Sequence, residues 1–392
     1  MKFKNLGRNH SVLLLLTICL FLLFESFSMA GTLRIGIIAP LSGPGAPWGK
    51  ALVEGYELAV DDLEKEGGLK IKGEKFDVKL IPYDDKYTGA GGVQAANRLI
   101  SVDKVKFIAG SISSASVMAF TPITEKEKVL VLGDSYSRRA INPKTDYFWR
   151  TGITSTETAQ ILIPYVVKEQ KIKKVAVFGP NDESGQDLSA TDVEQYKKLG
   201  VEVVYNEFYE RDQKDFYPQM TKIMSLKPDL IDTSASSPGT TGLLAKQARD
   251  LGFKGPFVTP SGFFPAPVIE VAGKGANNFY YAIAADLNSK DPKIVSLMKK
   301  YRERYGKECN QWSVINWYGA ARLLFKLIQE KNSADPTVVK KAMENLGEFE
   351  GITGKSYFYG KEIYGADRQC MAPVWICVLE DGQEKIVSKI GN

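Results

Sequence analysis

The sequence predicts an α/β protein built as two related lobes, each a doubly wound parallel sheet covered by helices. Three observations carry this. Short apolar, β-branched runs alternate with amphipathic helical stretches along almost the whole chain after residue 30, the pattern of repeated strand-helix-strand units. The alternation restarts after Arg150 and Thr151 as a second, similar series. The chain has 392 residues, 44% of them hydrophobic, which is enough for two cores of ordinary size.

Residues 1–30 read as an export leader. Lys2, Lys4 and Arg8 precede an apolar run over 12–24, and Ser28 and Ala30 occupy the small-residue positions before a cleavage site at Gly31. The run is shorter than the roughly 18 to 20 apolar residues that span a bilayer. Cys19 follows Ile18 inside that apolar core rather than a small residue, so no lipid anchor is expected there. No later stretch is comparably apolar, and the mature chain is expected to be soluble.

In the first series LRIGII is a strand, a helix covers about 47–66, and FDVKLIPY is the next strand. Leu52, Tyr56, Ala59 and Leu63 recur at helical spacing as one buried stripe, and Gly67 and Gly68 stop the helix. A helix over 93–101, the strand KFIAG, a helix from about residue 114 and the strand VLVLG follow. In the second series Thr154 and Glu157 make a capping box for a helix whose Ala159, Leu162, Ile163, Val166 and Val167 share a face. Strands KKVAVFG, VEVVYNEF, DLIDTSA, PFVTP and FYYAIAA then alternate with helices ending near 199, 224 and 251. Residues 292–345 change character to three successive helices, and strand-like segments at 352–359 and 374–379 finish the chain.

Several function classes are excluded by composition. Loss of the leader removes three basic and one acidic residue and lowers the formal charge from +5 to about +3, a balance that recruits no nucleic acid. The single histidine, His10, lies in the leader, so the expected mature chain has no Ser-His-Asp triad, no Cys-His pair and no imidazole-bound zinc. No cofactor or metal is expected. Cys309, Cys370 and Cys377 remain after processing. If the segment between the last two is extended, they stand roughly 23 Å apart at about 3.3 Å per residue, whereas a disulfide needs roughly 4.4 to 6.8 Å. One bridge from Cys309 to either is therefore expected, with three free thiols as the alternative.

Two glycine clusters fail as nucleotide sites. SGPGAPWGK has Pro44 where a phosphate loop needs glycine and Ala51 where it needs Ser or Thr, and a dinucleotide fingerprint would need a third glycine at Trp48. TGAGG before Val93 lacks an acidic ribose partner at the expected distance. More informative is GSISSASV, where a strand ends at Gly110 and hydroxyl residues open a helix. Backbone amides at such an N-terminus face outward at the positive end of the helix dipole, so a ligand carboxylate can sit there, with Ser114 adding a hydroxyl. The competing reading is an N-cap serine serving only its own helix. A comparable loop, GDSYS over 133–137, follows the next parallel strand, and adjacent strand ends of this kind are where open α/β sheets bind ligands.

The opening TLRIGIIAPLSGPGAPWGKALVEGYELAVDDLEKEGGLKIKGEKFDVKLIPYDD resembles the start of the leucine/isoleucine/valine-binding family of periplasmic proteins. Further similar segments follow in order, among them FIAGSISSAS, FWRTGITSTE, VAVFGPNDESGQDL, DFYPQMTKIMSLKPDLI, LLAKQARDLGF and GADRQCMAPVWICVLEDG. The resemblance implies the type I periplasmic binding fold, a Venus flytrap whose lobes are joined by a three-crossing hinge near Thr151, Ile283 and Met371. Lobe 1 would be 31–151 with 283–371, and lobe 2 would be 152–282 with 372–392. It implies that Ser114 holds a ligand carboxylate, that Ser135 contributes main-chain atoms and Ser137 a hydroxyl, and that Trp48 covers the ligand. From lobe 2, Ser184 takes a place often held by tyrosine, and Ser236 and Ser237 lie in a loop facing the ligand. One departure stands out. Ser261 occupies the position at which amino-acid binders place an acid against the ligand ammonium, and Phe263 and Phe264 make the following loop more apolar. An unpartnered ammonium in a closed cleft costs on the order of a few kcal/mol, and Asp134, Asp182 and Glu183 are the acids available to replace the missing one.

The implied function is that of a monomeric solute-binding protein in the periplasm. It would capture a small carboxylate, either a branched-chain or hydrophobic amino acid or an aromatic acid, and pass it to the inner-membrane permease of an ATP-binding-cassette importer without catalysis. The alternatives are a ligand-sensing subunit for a membrane receptor or kinase, and an enzyme on the same fold. Protein isolated from the periplasm is expected to begin at or near Gly31; an intact Met1 or an acylated Cys19 in N-terminal mass analysis would overturn the leader reading.

Overall fold

The computed structural model describes residues 31–391, so the leader lies outside the described residues. The first series folds as β1 (Gly31–Ala39), α1 (Ala46–Lys65), β2 (Leu69–Ile71), β3 (Glu74–Asp84), α2 (Gly89–Ser101), β4 (Phe107–Gly110), α3 (Ser114–Lys126), β5 (Leu130–Gly133) and β6 (Phe148–Arg150). The second runs α4 (Ser155–Gln170), β7 (Lys174–Pro180), α5 (Glu183–Lys198), β8 (Glu202–Tyr209), α6 (Tyr217–Ser225), β9 (Leu230–Asp232), α7 (Pro238–Asp250), β10 (Phe257–Thr259), α8 (Pro265–Ala272) and β11 (Phe279–Ile283). Then come α9 (Pro292–Tyr305), α10 (Ser313–Glu330), α11 (Pro336–Glu344), β12 (Glu348–Glu350), β13 (Lys355–Tyr359), α12 (Lys361–Tyr364), β14 (Gln369–Met371), β15 (Val374–Glu380) and β16 (Gln383–Ile390).

These strands form two sheets, one in the order β12-β13-β14-β6-β5-β4-β1-β3-β2 and one in the order β16-β15-β11-β10-β9-β7-β8. The inner strands are parallel: β1 pairs with β3 and β4, β4 with β5, and β5 with β6. Helices cover both faces of such sheets, which is why β1 is a near-continuous apolar run whose Ile35, Ile37, Ile38 and Ala39 are fully buried. The antiparallel members lie at the edges: β2 pairs with β3, β12 with β13 and β13 with β14 in the first sheet, and β11 with β15 and β15 with β16 in the second. The chain passes between the sheets after β6, after β11 and after β14, where only Ala372 and Pro373 separate β14 from β15. After β11, α10 returns to lie along α1, and Gly55 is needed there because a Cβ would stand 2.7 Å from the Val314 carbonyl and from Trp317 Cβ.

Local signals act as their chemistry requires. The stripe Leu52, Tyr56, Ala59 and Leu63 is buried to 2% exposure or less, and α1 ends where Gly67 and Gly68 adopt positive φ and the Gly68 amide donates to the Leu63 carbonyl at 2.8 Å. The capping box forms, with the Thr154 amide donating to Glu157 Oε2 at 3.0 Å. The TGAGG segment is the first turn of α2 rather than a loop before residue 93: Thr88 caps it by accepting from the Gly91 amide at 3.0 Å.

The expected disulfide is corrected by the structure, in which Cys309, Cys370 and Cys377 are all free. Cys370 sits on β14 of the first sheet and Cys377 on β15 of the second, while Cys309 precedes α10 and donates to the Gln311 carbonyl at 3.4 Å. Burial raises all three thiols, Cys309 to about 11 and Cys370 to about 12, so each stays protonated and unreactive at neutral pH. Alkylation of unreduced mature protein in guanidinium is expected to label three cysteines; fewer would restore the bridge.

Candidate ligand-binding cleft

The cleft begins at the C-terminal ends of β4 and β5, whose loops carry Ser113, Ser114, Ser135 and Ser137 side by side. The question left open by the sequence, whether Ser114 merely caps its helix, is answered by its neighbour. Ser113 is the N-cap of α3, its hydroxyl accepting from the Ser116 amide at 3.3 Å. Ser114 is thereby released: its hydroxyl accepts from the Ser137 amide at 3.0 Å and from the Ser135 hydroxyl at 3.2 Å. Its own amide, at the positive end of the helix, donates across the gap between the two sheets to Ser184 Oγ at 3.3 Å. The amide at this helix N-terminus is therefore already met by an oxygen acceptor.

Other contacts close over this point. Trp48 donates its indole N–H to the Gly262 carbonyl at 3.1 Å, and the Gly262 amide donates to the Tyr136 hydroxyl at 3.2 Å. Trp48 can enter because Gly49 packs against Pro40, whose carbonyl would lie 2.0 Å from any Cβ at that position. This explains the glycine of the GK pair without a phosphate. Tyr87 lies beside Trp48 with ring centroids 5.8 Å apart, and the Arg211 guanidinium covers the other partner of this pair, 4.3 Å from the Tyr87 centroid. From the helical region after β11, Trp312 donates its indole N–H to the Phe263 carbonyl at 2.8 Å.

The remaining residues singled out from the sequence lie in the loops that follow β9 and β10 of the second sheet and are held in local networks. Ser236 accepts from Tyr209 at 2.7 Å, Ser237 shares a hydrogen bond with Thr240 at 2.9 Å beside the start of α7, and Ser261 donates to the Ser234 carbonyl at 3.2 Å. The Phe263 ring is turned into the second lobe's core, stacked 4.1 Å from Tyr281 and 4.8 Å from Phe279, and Phe264 packs edge-on against Trp312. Tyr87, Tyr136, Gly262 and Trp312 were not singled out from the sequence. Tyr136 alone had a signal there, since it stands between the two serines of GDSYS.

Electrostatics separates the three acids. Asp182 is ion-paired with Arg211, and Glu183 with Arg139, which also lies 3.5 Å from Asp187. Asp187 in turn accepts from the Ser137 hydroxyl. Asp134 differs: it is partly buried, and its Oδ1 is sealed from solvent with no hydrogen-bond partner. The nearby Arg150 spends Nη1 on the Ser135 and Ser137 carbonyls at 3.1 and 3.4 Å and lies over the Tyr364 ring. Burial pushes Asp134 up to about 7, with Arg150 opposing and Glu157 reinforcing the shift.

Two sheets with their parallel strand ends facing one another across a gap, bridged by three passages of chain and closed by side chains from both sides, define a two-lobed binding protein. A family model described as periplasmic binding protein matches residues 32–384, and the chain belongs to that family. Among curated relatives, the chain is 25% identical over 337 residues to a leucine-, isoleucine-, valine-, threonine- and alanine-binding protein of Pseudomonas aeruginosa, covering 86% of this chain and 88% of the relative. It is 25% identical to the Leu/Ile/Val-binding protein of Escherichia coli, covering 67% and 70%. Among solved structures, a leucine-binding protein from Thermotoga maritima superposes with a TM-score of 0.80 at 22% identity, covering 92% of this chain and 99% of that one. A solute-binding protein from R. palustris in complex with benzoate gives 0.79 at 17% identity, covering 92% and 96%. These neighbours share the type I fold, and the relatives point to a binding rather than an enzymatic role.

The Asp134 shift has a stability consequence. Its folded value of about 7 lies above the unfolded value of about 3.9. Its contribution is therefore fully present below about pH 4 and is lost as pH rises through about 7. Burial likewise raises the neighbouring carboxylates Asp192 and Asp232, a shift of the same sign. The melting temperature is expected to fall between pH 5 and pH 8, with a shallower fall in Asp134→Asn; equal slopes would show that Asp134 does not titrate there.

Proposed function

We propose that this protein is the solute-binding component of an ABC importer, working in the periplasm and delivering a small carboxylate to a membrane permease. The observation that carries this reading is the Ser114 amide, presented at a helix N-terminus to an oxygen atom across the gap while its hydroxyl is held by Ser135 and Ser137. In this reading residues 31–151 and 283–371 form the first lobe, and residues 152–282 and 372–392 the second. The ligand carboxylate replaces Ser184 Oγ at the Ser114 amide, Trp48 covers the ligand body, and the Ser236, Ser237 and Ser261 loops complete the far wall.

The ligand class is a carboxylate with an apolar body, either a branched-chain amino acid or an aromatic acid. The names of the relatives support the first, and the benzoate-bound neighbour agrees with the second. Ser261 supplies no negative charge, and Asp182 and Glu183 are engaged by arginines, so an ammonium would have to find Asp134. Calorimetry with leucine, isoleucine, benzoate and 4-hydroxybenzoate is expected to find at least one tight ligand. Ser114→Ala should weaken it at least tenfold, about 1.4 kcal/mol. If leucine is that ligand, Asp134→Ala should weaken it comparably. Tight binding of a neutral sugar in place of all four would overturn the proposal.

A further inference from the structure

Behind the loops that follow β9 and β10, the second lobe buries two carboxyl groups that share one serine. Asp192 projects from α5 and Asp232 ends β9, and both are fully buried. Ser234 joins them: its hydroxyl donates to Asp192 Oδ2 at 3.1 Å and its amide to Asp232 Oδ1 at 2.7 Å. Tyr196, also on α5, donates its hydroxyl to Asp232 Oδ2 at 2.9 Å. Asp192 Oδ1 is sealed from solvent without a hydrogen-bond partner among the described residues. The positive charge that reaches Asp192 is Arg138, between β5 and β6, and it makes its own ion pair with Glu194 at 3.2 Å.

Two buried carboxylates on one serine cannot both ionise without a large cost, because each loses its hydration and each repels the other. Asp232 accepts from two donors and suits the charge; Asp192, with one donor and one sealed oxygen, suits the proton. Burial raises Asp192, with the Asp232 charge reinforcing the shift, and burial raises Asp232 as well, so the two titrate as a unit. Tyr196 is pushed up in the same way and stays neutral. What the pair holds is a strained turn. Ser234 has a φ of +30°, a region that residues other than glycine rarely occupy. Its carbonyl accepts from the Ser236 amide at 2.5 Å and from the Thr259 and Ser261 hydroxyls, each at 3.2 Å. One residue thus ties the carboxyl pair to both loops.

We propose that Asp192 and Asp232 are positioning residues that hold one proton between them and clamp Ser234, so that the loops carrying Ser236 and Ser261 are ordered while the proton is bound and released when it leaves. Loss of the proton puts two negative charges on one buried turn. Opening to water relieves both the repulsion and the strain at Ser234. The direction follows from linkage. A carboxyl raised on folding contributes stability below its unfolded value of about 3.9, and the contribution is lost as pH rises through its folded value. In the cleft reading above these loops form the far wall, and a ligand held there is bound more weakly as pH rises. That consequence rests on the reading; the clamp does not.

Hydrogen–deuterium exchange of the whole mature protein, resolved by peptide mass spectrometry and corrected for the intrinsic rate at each pH, tests the clamp with no ligand present. Protection of residues 233–237 and 259–263 is expected to fall at least tenfold between pH 5.5 and pH 8.5. Asp192→Asn and Asp232→Asn, which each replace a titrating group by a neutral one of the same shape, should each reduce that fall to less than threefold. Asp134→Asn, which removes the raised carboxyl of the first lobe, should leave the tenfold fall in place. A flat profile in the wild type would overturn the clamp. So would a full fall in both folded carboxyl-pair variants, or its disappearance in Asp134→Asn, which would assign the titration to the first lobe. None of these readouts depends on which ligand the cleft takes, so failure of the clamp and failure of the transport reading are told apart.

Discussion

The amide and hydroxyl of Ser114 are the point around which the cleft is arranged. They are released from capping α3 because Ser113 takes over that task. They face the gap only because β4 and β5 are parallel neighbours whose C-terminal ends open on the same edge. In an open α/β sheet the crevice outside the carboxyl ends of the strands is where ligands bind, so strand order and hydrogen-bond geometry lead to one place. Ser135 and Ser137 then fix the Ser114 hydroxyl, and Arg150 fixes the carbonyls of those two serines from behind.

The contacts that span the gap are mainly polar, and they include the Ser114–Ser184 and Ser137–Asp187 hydrogen bonds and the Arg211 guanidinium over the Tyr87 ring. Trp48, Tyr136 and Trp312 each make one hydrogen bond to backbone on the far side, and Arg138 and Arg139 reach acids on α5. Net contributions of about 1 kcal/mol per neutral hydrogen bond and less for exposed ion pairs leave closure a shallow preference. A shallow preference suits a molecule that must both hold and release. The pivot is firmer. At the first passage Glu157 accepts from Tyr359 at 2.9 Å and from Tyr364 at 2.6 Å, and Gln369 donates to the Gly152 carbonyl at 2.8 Å.

Much of this was legible in the sequence because the governing signals are local. The α1 stripe, the Thr154 capping box and the alternation of strand and helix are periodicities within a few residues of one another. The edge strands were harder. β16, QEKIVSKI, is exposed over most of its length and carries no clean alternation, and β12 and β14 have three residues each. At the cleft, the serines were found through strand-end loops and family likeness, whereas Trp312 and Gly262 act through long-range contacts that no local pattern encodes. Phe263 shows the same limit: its place in the loop was readable, but the direction of its ring was decided by the Tyr281 and Phe279 side chains that receive it. The cysteines failed for a related reason, since the spacing of Cys370 and Cys377 says nothing about the sheet boundary between them.

The two tryptophans that donate across the gap have a spectroscopic consequence. Trp48 and Trp312 are buried to 4% and 8% exposure with their indole N–H groups bound to carbonyls of the opposite lobe. Parting of the lobes breaks those bonds and hydrates both rings at once, while Trp149 and Trp317 stay inside the first lobe. Indole emission depends on the polarity around the ring, so lobe opening is written into the protein's own fluorescence, and the resting angle can be followed in unlabelled material.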